Sequence, residues 1–118
     1  MYIADEKRYD EMKYSIDKLC KNYPANELTV NALFHEVDYL HQNDRMQDAL
    51  KILDLIENIN LKNKSAAVAS RAIYDRALIL YHLQHDREAL QILEQLQKYP
   101  QQPIAAEGIF LSATIFQE

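Results

Sequence analysis

The sequence predicts an all-α chain of about six antiparallel helices, and three observations carry that reading. Glycine occurs once and proline three times in 118 residues, too few for the frequent turns of a β-rich fold. Apolar residues recur at three- and four-residue spacing along six stretches, which is the period of an amphipathic helix. A shift of forty residues lays the chain on itself without a gap, the mark of an array of repeated helical units.

Each helix is read from its stripe and its stops. The first spans about 4–22, with Tyr9, Met12, Ile16 and Leu19 on one side. The second, about 27–42, carries Leu33, Val37 and Leu40, and the third, about 45–58, carries Ala49, Ile52, Leu53 and Ile56. The fourth, about 65–84, carries Ala69, Ile73, Ala77 and Leu80. The fifth, about 87–98, carries Ala89, Ile92, Leu93 and Leu96, and the sixth, about 103–116, carries Ile109, Ala113 and Phe116. Pro24 and Pro100 end helices, because proline lacks the donor and restricts the residue before it. Pro103 suits a first helical position. Asn26 and Ser65 are expected N-caps, and Asp44 with Gln47 has the spacing of a capping box. Residues 58–64 read as a longer loop, the remaining connections as short turns between antiparallel neighbours. No composition break divides the chain, so residues 1–118 are expected to form one domain.

Composition also excludes. The single glycine, Gly108, cannot supply the clustered glycines of a dinucleotide or P-loop fold. Thirteen Lys+Arg against eighteen Asp+Glu leave a net charge of −5, spread without blocks, so no nucleic-acid footprint is expected. No run reaches the length of a membrane span, and no membrane insertion is expected. One cysteine, Cys20, cannot form an internal disulfide. It lies beside Leu19 on a packing helix with no histidine in its hairpin, so it reads as a structural thiol rather than a nucleophile. His35, Asp38 and His41, spaced three and three, drift around their helix and are too few for a metal site. Asp5, Glu6, Asp10 and Glu11 stand at a helix start, where they complement the dipole. With no GxSxG, HExxH or paired-carboxylate pattern, neither an enzyme nor a cofactor is expected.

The repeat fixes the register. Ala32, Leu33, Phe34, Val37 and Leu40 fall on Ala72, Ile73, Tyr74, Ala77 and Leu80. Ala49, Leu50, Ile52, Leu53 and Ile56 fall on Ala89, Leu90, Ile92, Leu93 and Leu96. A further shift of thirty-six brings Ala69, Ile73, Ala77 and Leu80 onto Ala105, Ile109, Ala113 and Phe116. Each unit is then a helical hairpin that stacks on its neighbours, with Ala77, Ala89 and Ala113 where helices approach most closely. The segment 72–100, AIYDRALILYHLQHDREALQILEQLQKYP, resembles the tetratricopeptide repeat (TPR): Ile73 takes its first large position, Ala77 the small one, and Leu80 the next. Ala89 is its second-helix alanine, and Leu93 fills its aromatic slot. Residues 32–59 follow the same register more loosely, with Val37 at the small position, and YDEMKYSIDKLCKNYP (9–24) looks like a second helix alone. The stretch YPQQPIAAEGIFLSA (99–113) is similar to the YPxSPxAxxA junction of bacterial cell-envelope TPR proteins.

The resemblance implies a right-handed α-solenoid: a leading helix over 4–24, repeats over 30–63 and 70–102, and an unpaired first helix over 103–118. It implies a module or scaffold that binds a peptide or helix of a partner protein on its concave face. That face would hold Asn31, Phe34, His35, Asp38 and His41, then Arg71, Tyr74, Asp75, Leu78, Tyr81 and His82, with Phe34, Tyr74 and Tyr81 as anchors. The family branch that grips acidic C-termini uses cationic residues where this chain has Phe34, His35, Asp38, Arg71 and Asp75, so that activity is not expected. The sixth helix offers an alternative. Ile109, Phe110, Ile115 and Phe116 have no partner helix in the sequence, which makes them an expected assembly surface for a second copy or for the rest of a longer array. The opening residues lack the layout of a secretory leader, which favours the cytoplasm, whereas the YPxxP junction points to the cell envelope.

Overall fold

Helix boundaries follow local chemistry. The computed structural model describes the backbone of residues 2–117 and the side chains of residues 7–117. Over these residues the chain is helical throughout, with no strand: α1 (Tyr2–Asn22), α2 (Glu27–Gln42), α3 (Met46–Asn63), α4 (Ala66–His82), α5 (Asp86–Glu94) and α6 (Pro103–Gln117). A 3-10 turn, Gln95–Lys98, continues α5. Asn26 caps α2 by accepting from the Leu28 amide at 2.8 Å, and Ser65 caps α4 by accepting from the Val68 amide at 3.2 Å. Pro103 opens α6. Asp5 and Glu6, expected to complement the first helix dipole, lie outside the described side chains. Among the described residues, no helix is long and apolar enough to cross a membrane.

Two expectations are corrected. The stretch 58–64 is not a loop: α3 runs on to Asn63, because nothing in NINLKN breaks a helix as glycine or proline would. The capping box at Asp44 does not form, since Asp44 takes a left-handed φ of 60° and closes α2 instead of opening α3. There the Asp44 amide bonds the His41 carbonyl at 3.3 Å and the Arg45 amide the Leu40 carbonyl at 2.8 Å. This is the paired bonding of a Schellman stop. Forty residues on, Gln84 at φ 66° repeats it, with Gln84 N–H to Tyr81 O at 2.9 Å and His85 N–H to Leu80 O at 2.8 Å. The sequence repeat is thus also a repeat of backbone bonds.

The helices fall into two compact units, Met1–Asn63 and Lys64–Glu118. In the first, α2 packs on both α1 and α3. Leu33, Val37 and Leu40 of α2 and Ala49, Leu53 and Ile56 of α3 are buried. A polar cluster joins α1 to α2. The Tyr9 hydroxyl donates to the Glu36 carboxylate at 3.0 Å, the Tyr9 ring stacks on Tyr39 at 5.2 Å, and Arg45 lies 4.7 Å over it. Glu36 is 1% exposed, and a carboxylate so buried needs such a donor. Cys20 is half-buried on α1, and burial, helped by Asp17 and Glu36, pushes its thiol pKa up. Thr29 donates to the Tyr23 carbonyl at 2.6 Å and Asn63 to the Ala25 carbonyl at 3.1 Å, so the Pro24 turn is pinned from both sides.

In the second unit, Ile73, Ala77 and Leu80 of α4 meet Ala89 and Leu93 of α5, Leu96 of the 3-10 turn, and Leu111 and Ile115 of α6 in one core. Burying each large aliphatic contributes about 1.5–3 kcal/mol. Helix α6 packs on both α4 and α5 through Ala105, Gly108, Leu111 and Ile115, spaced three, three and four. Gly108 is why it comes so close: a Cβ there would collide with Cδ1 of Leu96 and sit 3.5 Å from Leu93 Cδ2.

Candidate functional site

The face α6 turns inward decides what it leaves outside. The expected packing stripe Ile109, Ala113 and Phe116 is not the packed one, and Ala113 is exposed rather than at a close helix approach. The helix is apolar on several sides, and the side carrying the small residues Ala105 and Gly108 lies closest to α5. Consequently Ile115, expected on an assembly surface, is 4% exposed and belongs to the core. Ile109, Phe110 and Phe116 are 73%, 74% and 75% exposed.

Ile109 and Phe116 overhang a groove of about 560 Å³ between α5 and α6. One wall is Leu90, Glu94, Gln97 and Pro100; the other is Ala106, Ile109, Ser112 and Phe116. Its floor is Leu93, Leu96, Ala105 and Gly108, all buried. Glu94 is the only charged side chain among these residues. Phe110 points elsewhere and takes no part in the lining. A buried apolar floor and an exposed rim of Ile109 and Phe116 suit hydrophobic docking, and Glu94, Gln97 and Ser112 in the walls make no acid–base pair for chemistry. Sequence reasoning found the rim but missed the α5 wall and the floor. The signal was present in Gly108, since a lone glycine inside a helix marks a close backbone approach and hence the inward face.

The residues expected on a concave face divide between the two units. On α2, Asn31, His35 and Asp38 are exposed and His41 is half-buried. Phe34, expected as an exposed anchor, is instead 2% exposed. It lies one turn from both Val30 and Val37, so the apolar face of α2 is wide enough to take it in. On α4, Arg71, Tyr74, Asp75, Leu78 and Tyr81 are half-buried and His82 is exposed, all on one side of the helix. Arg71 and Asp75 pair at 3.7 Å, and Tyr81 lies 5.7 Å from the His82 ring. Burial raises the Tyr74 pKa, with Glu107 of α6 and Asp75 adding to it. Among the described residues, no group of three or more His, Cys, Asp or Glu is placed to hold a metal ion. Comparison with protein families, with curated proteins and with solved structures finds no match.

Proposed function

We propose that this chain is a non-enzymatic protein-interaction module, a short TPR-like right-handed α-solenoid that engages a partner protein through the α5–α6 groove. The observation that carries the reading is the pair Ile109 and Phe116, about three-quarters exposed above an apolar floor. Large apolar side chains grouped in this way mark binding surfaces. The test is an apolar dye. The wild-type chain is expected to bind it at the groove, and Ile109→Asp with Phe116→Asp to lose most of that fluorescence while keeping its helical circular dichroism. A wild-type chain that leaves the dye dark removes the reading.

A second reading is favoured by the α4 stripe, where Arg71, Tyr74, Tyr81 and His82 combine aromatic and polar groups suited to a peptide. Tyr74→Ala with Tyr81→Ala would weaken a partner held there and leave the groove's dye binding intact. A partner indifferent to that double substitution excludes the stripe.

A further inference from the structure

We infer that α1 is a strap that lifts from α2 in a single piece while the α2–α3 hairpin stays folded, and that buried Glu36 is the residue that keeps the lifting easy. The device belongs to the first unit and does not depend on the α5–α6 groove.

The seam between α1 and α2 is built differently from the one beside it. Helices α2 and α3 close on Leu33, Val37, Leu40, Ala49, Leu53 and Ile56, all apolar and all buried. Helix α1 packs on α2, and among its described side chains Ile16 alone is buried, with Tyr9, Met12, Leu19 and Cys20 half-buried. Both ends of this seam are polar. The Tyr9 hydroxyl donates to Glu36 near one end, and the Thr29 hydroxyl donates to the Tyr23 carbonyl near the other. Thr29 and Glu36 stand seven residues apart, two turns along one face of α2, and both are buried.

Seating α1 therefore costs as well as contributes. A carboxylate taken out of water depends on the partners it finds inside. Among the described residues Glu36 forms no ion pair: Arg45, which lies over the Tyr9 ring, bonds Asp48 at 3.0 Å. When α1 lifts, water returns to Glu36 and Thr29. Away from its packing a helix this polar is marginal in water, so its amides become open to exchange.

The two partners in the latch are not equivalent. Removing the Tyr9 hydroxyl strands a buried acceptor, whereas removing the Glu36 carboxylate leaves a hydroxyl on a half-buried ring, within reach of water. Exchanging a buried carboxylate for an apolar side chain of similar length is often stabilising. Substitutions on the two sides should therefore shift the strap in opposite directions. A hydrogen bond that merely anchors would give losses of one sign.

Native-state hydrogen exchange on the full chain reads the lifting. The amides of residues 12–20 are expected to share one opening constant, about tenfold or more above that of residues 49–56 in α3. Ile56→Val, in the α2–α3 seam, is expected to raise the constant of residues 49–56 about two- to tenfold and leave residues 12–20 unchanged. Tyr9→Phe is expected to raise the α1 constant about fivefold to a hundredfold. Glu36→Met is expected to lower it about fivefold or more, and to remove most of the effect of Tyr9→Phe when the two are combined. Protection that climbs steadily from Met12 to Cys20 is fraying from the end and overturns the strap. So does a rise at residues 12–20 in the Ile56→Val chain, which would tie α1 to the opening of the whole unit. Faster α1 exchange in a Glu36→Met chain that keeps its helical circular dichroism makes Glu36 an anchor and overturns its releasing role. Should Glu36→Met not fold, Tyr9→Phe decides, and unchanged α1 exchange there overturns the latch.

Discussion

Ile115 and Phe116 are adjacent in sequence, and one is 4% exposed while the other is 75% exposed. Truncation should separate them. Ile115→Ala is expected to cost about 2–5 kcal/mol through its lost packing and the cavity left behind. Phe116→Ala should stay within about 0.5 kcal/mol of wild type. Urea unfolding of both variants checks this, and equal losses would mean that α6 is turned differently. Tyr9 makes a second residue-scale case. Burial, with the hydrogen bond to Glu36 as the next cause, pushes its pKa up to about 12 from the ordinary 10. Between those values the folded chain keeps a proton that the unfolded chain has released. The contribution is therefore complete below pH 10 and lost as pH rises toward 12. Tyr9→Phe should flatten that alkaline decline and remove one late phenol from an ultraviolet titration. At neutral pH it should cost about 1–3 kcal/mol, because Glu36 loses a buried donor.

At the scale of elements, three helix stops are made without glycine. Asp44, Lys64 and Gln84 hold φ of 60°, 51° and 66°, where a side chain on Cβ costs about 1–2 kcal/mol. Replacing Asp44 or Gln84 by glycine is expected to raise stability by about 0.5–1 kcal/mol, the relieved strain outweighing the extra freedom of the unfolded chain. Denaturant midpoints that fall instead would mean those side chains hold the turns in another way. These stops also explain what was legible. Pro24, Pro100 and Pro103 announce themselves, and the limits of α2 could be read from Asn26 and the apolar period. The left-handed residues could not be read, because aspartate, lysine and glutamine carry no signal for positive φ comparable to glycine's. The tail of α3 was missed for the opposite reason: its asparagines and lysines suggest a loop but forbid no helix.

For the whole molecule, the repeat was legible because it is written in spacing, and spacing survives the exchange of Leu for Ile or Phe for Tyr. Orientation was less so. Ile109 and Ile73 correspond in sequence, yet one is exposed and the other buried, since which side of an apolar helix turns inward depends on the helices available to cover it. Phe34 shows the converse, a side chain drawn in by the breadth of its neighbours' apolar face. Cys20 gives the whole chain a built-in clock. It is the one thiol, half-buried and held protonated by its surroundings, and only the thiolate is alkylated. Its modification at neutral pH should be slow while α1 stays seated and quicken as α1 leaves, so the labelling rate times how often α1 lifts from α2.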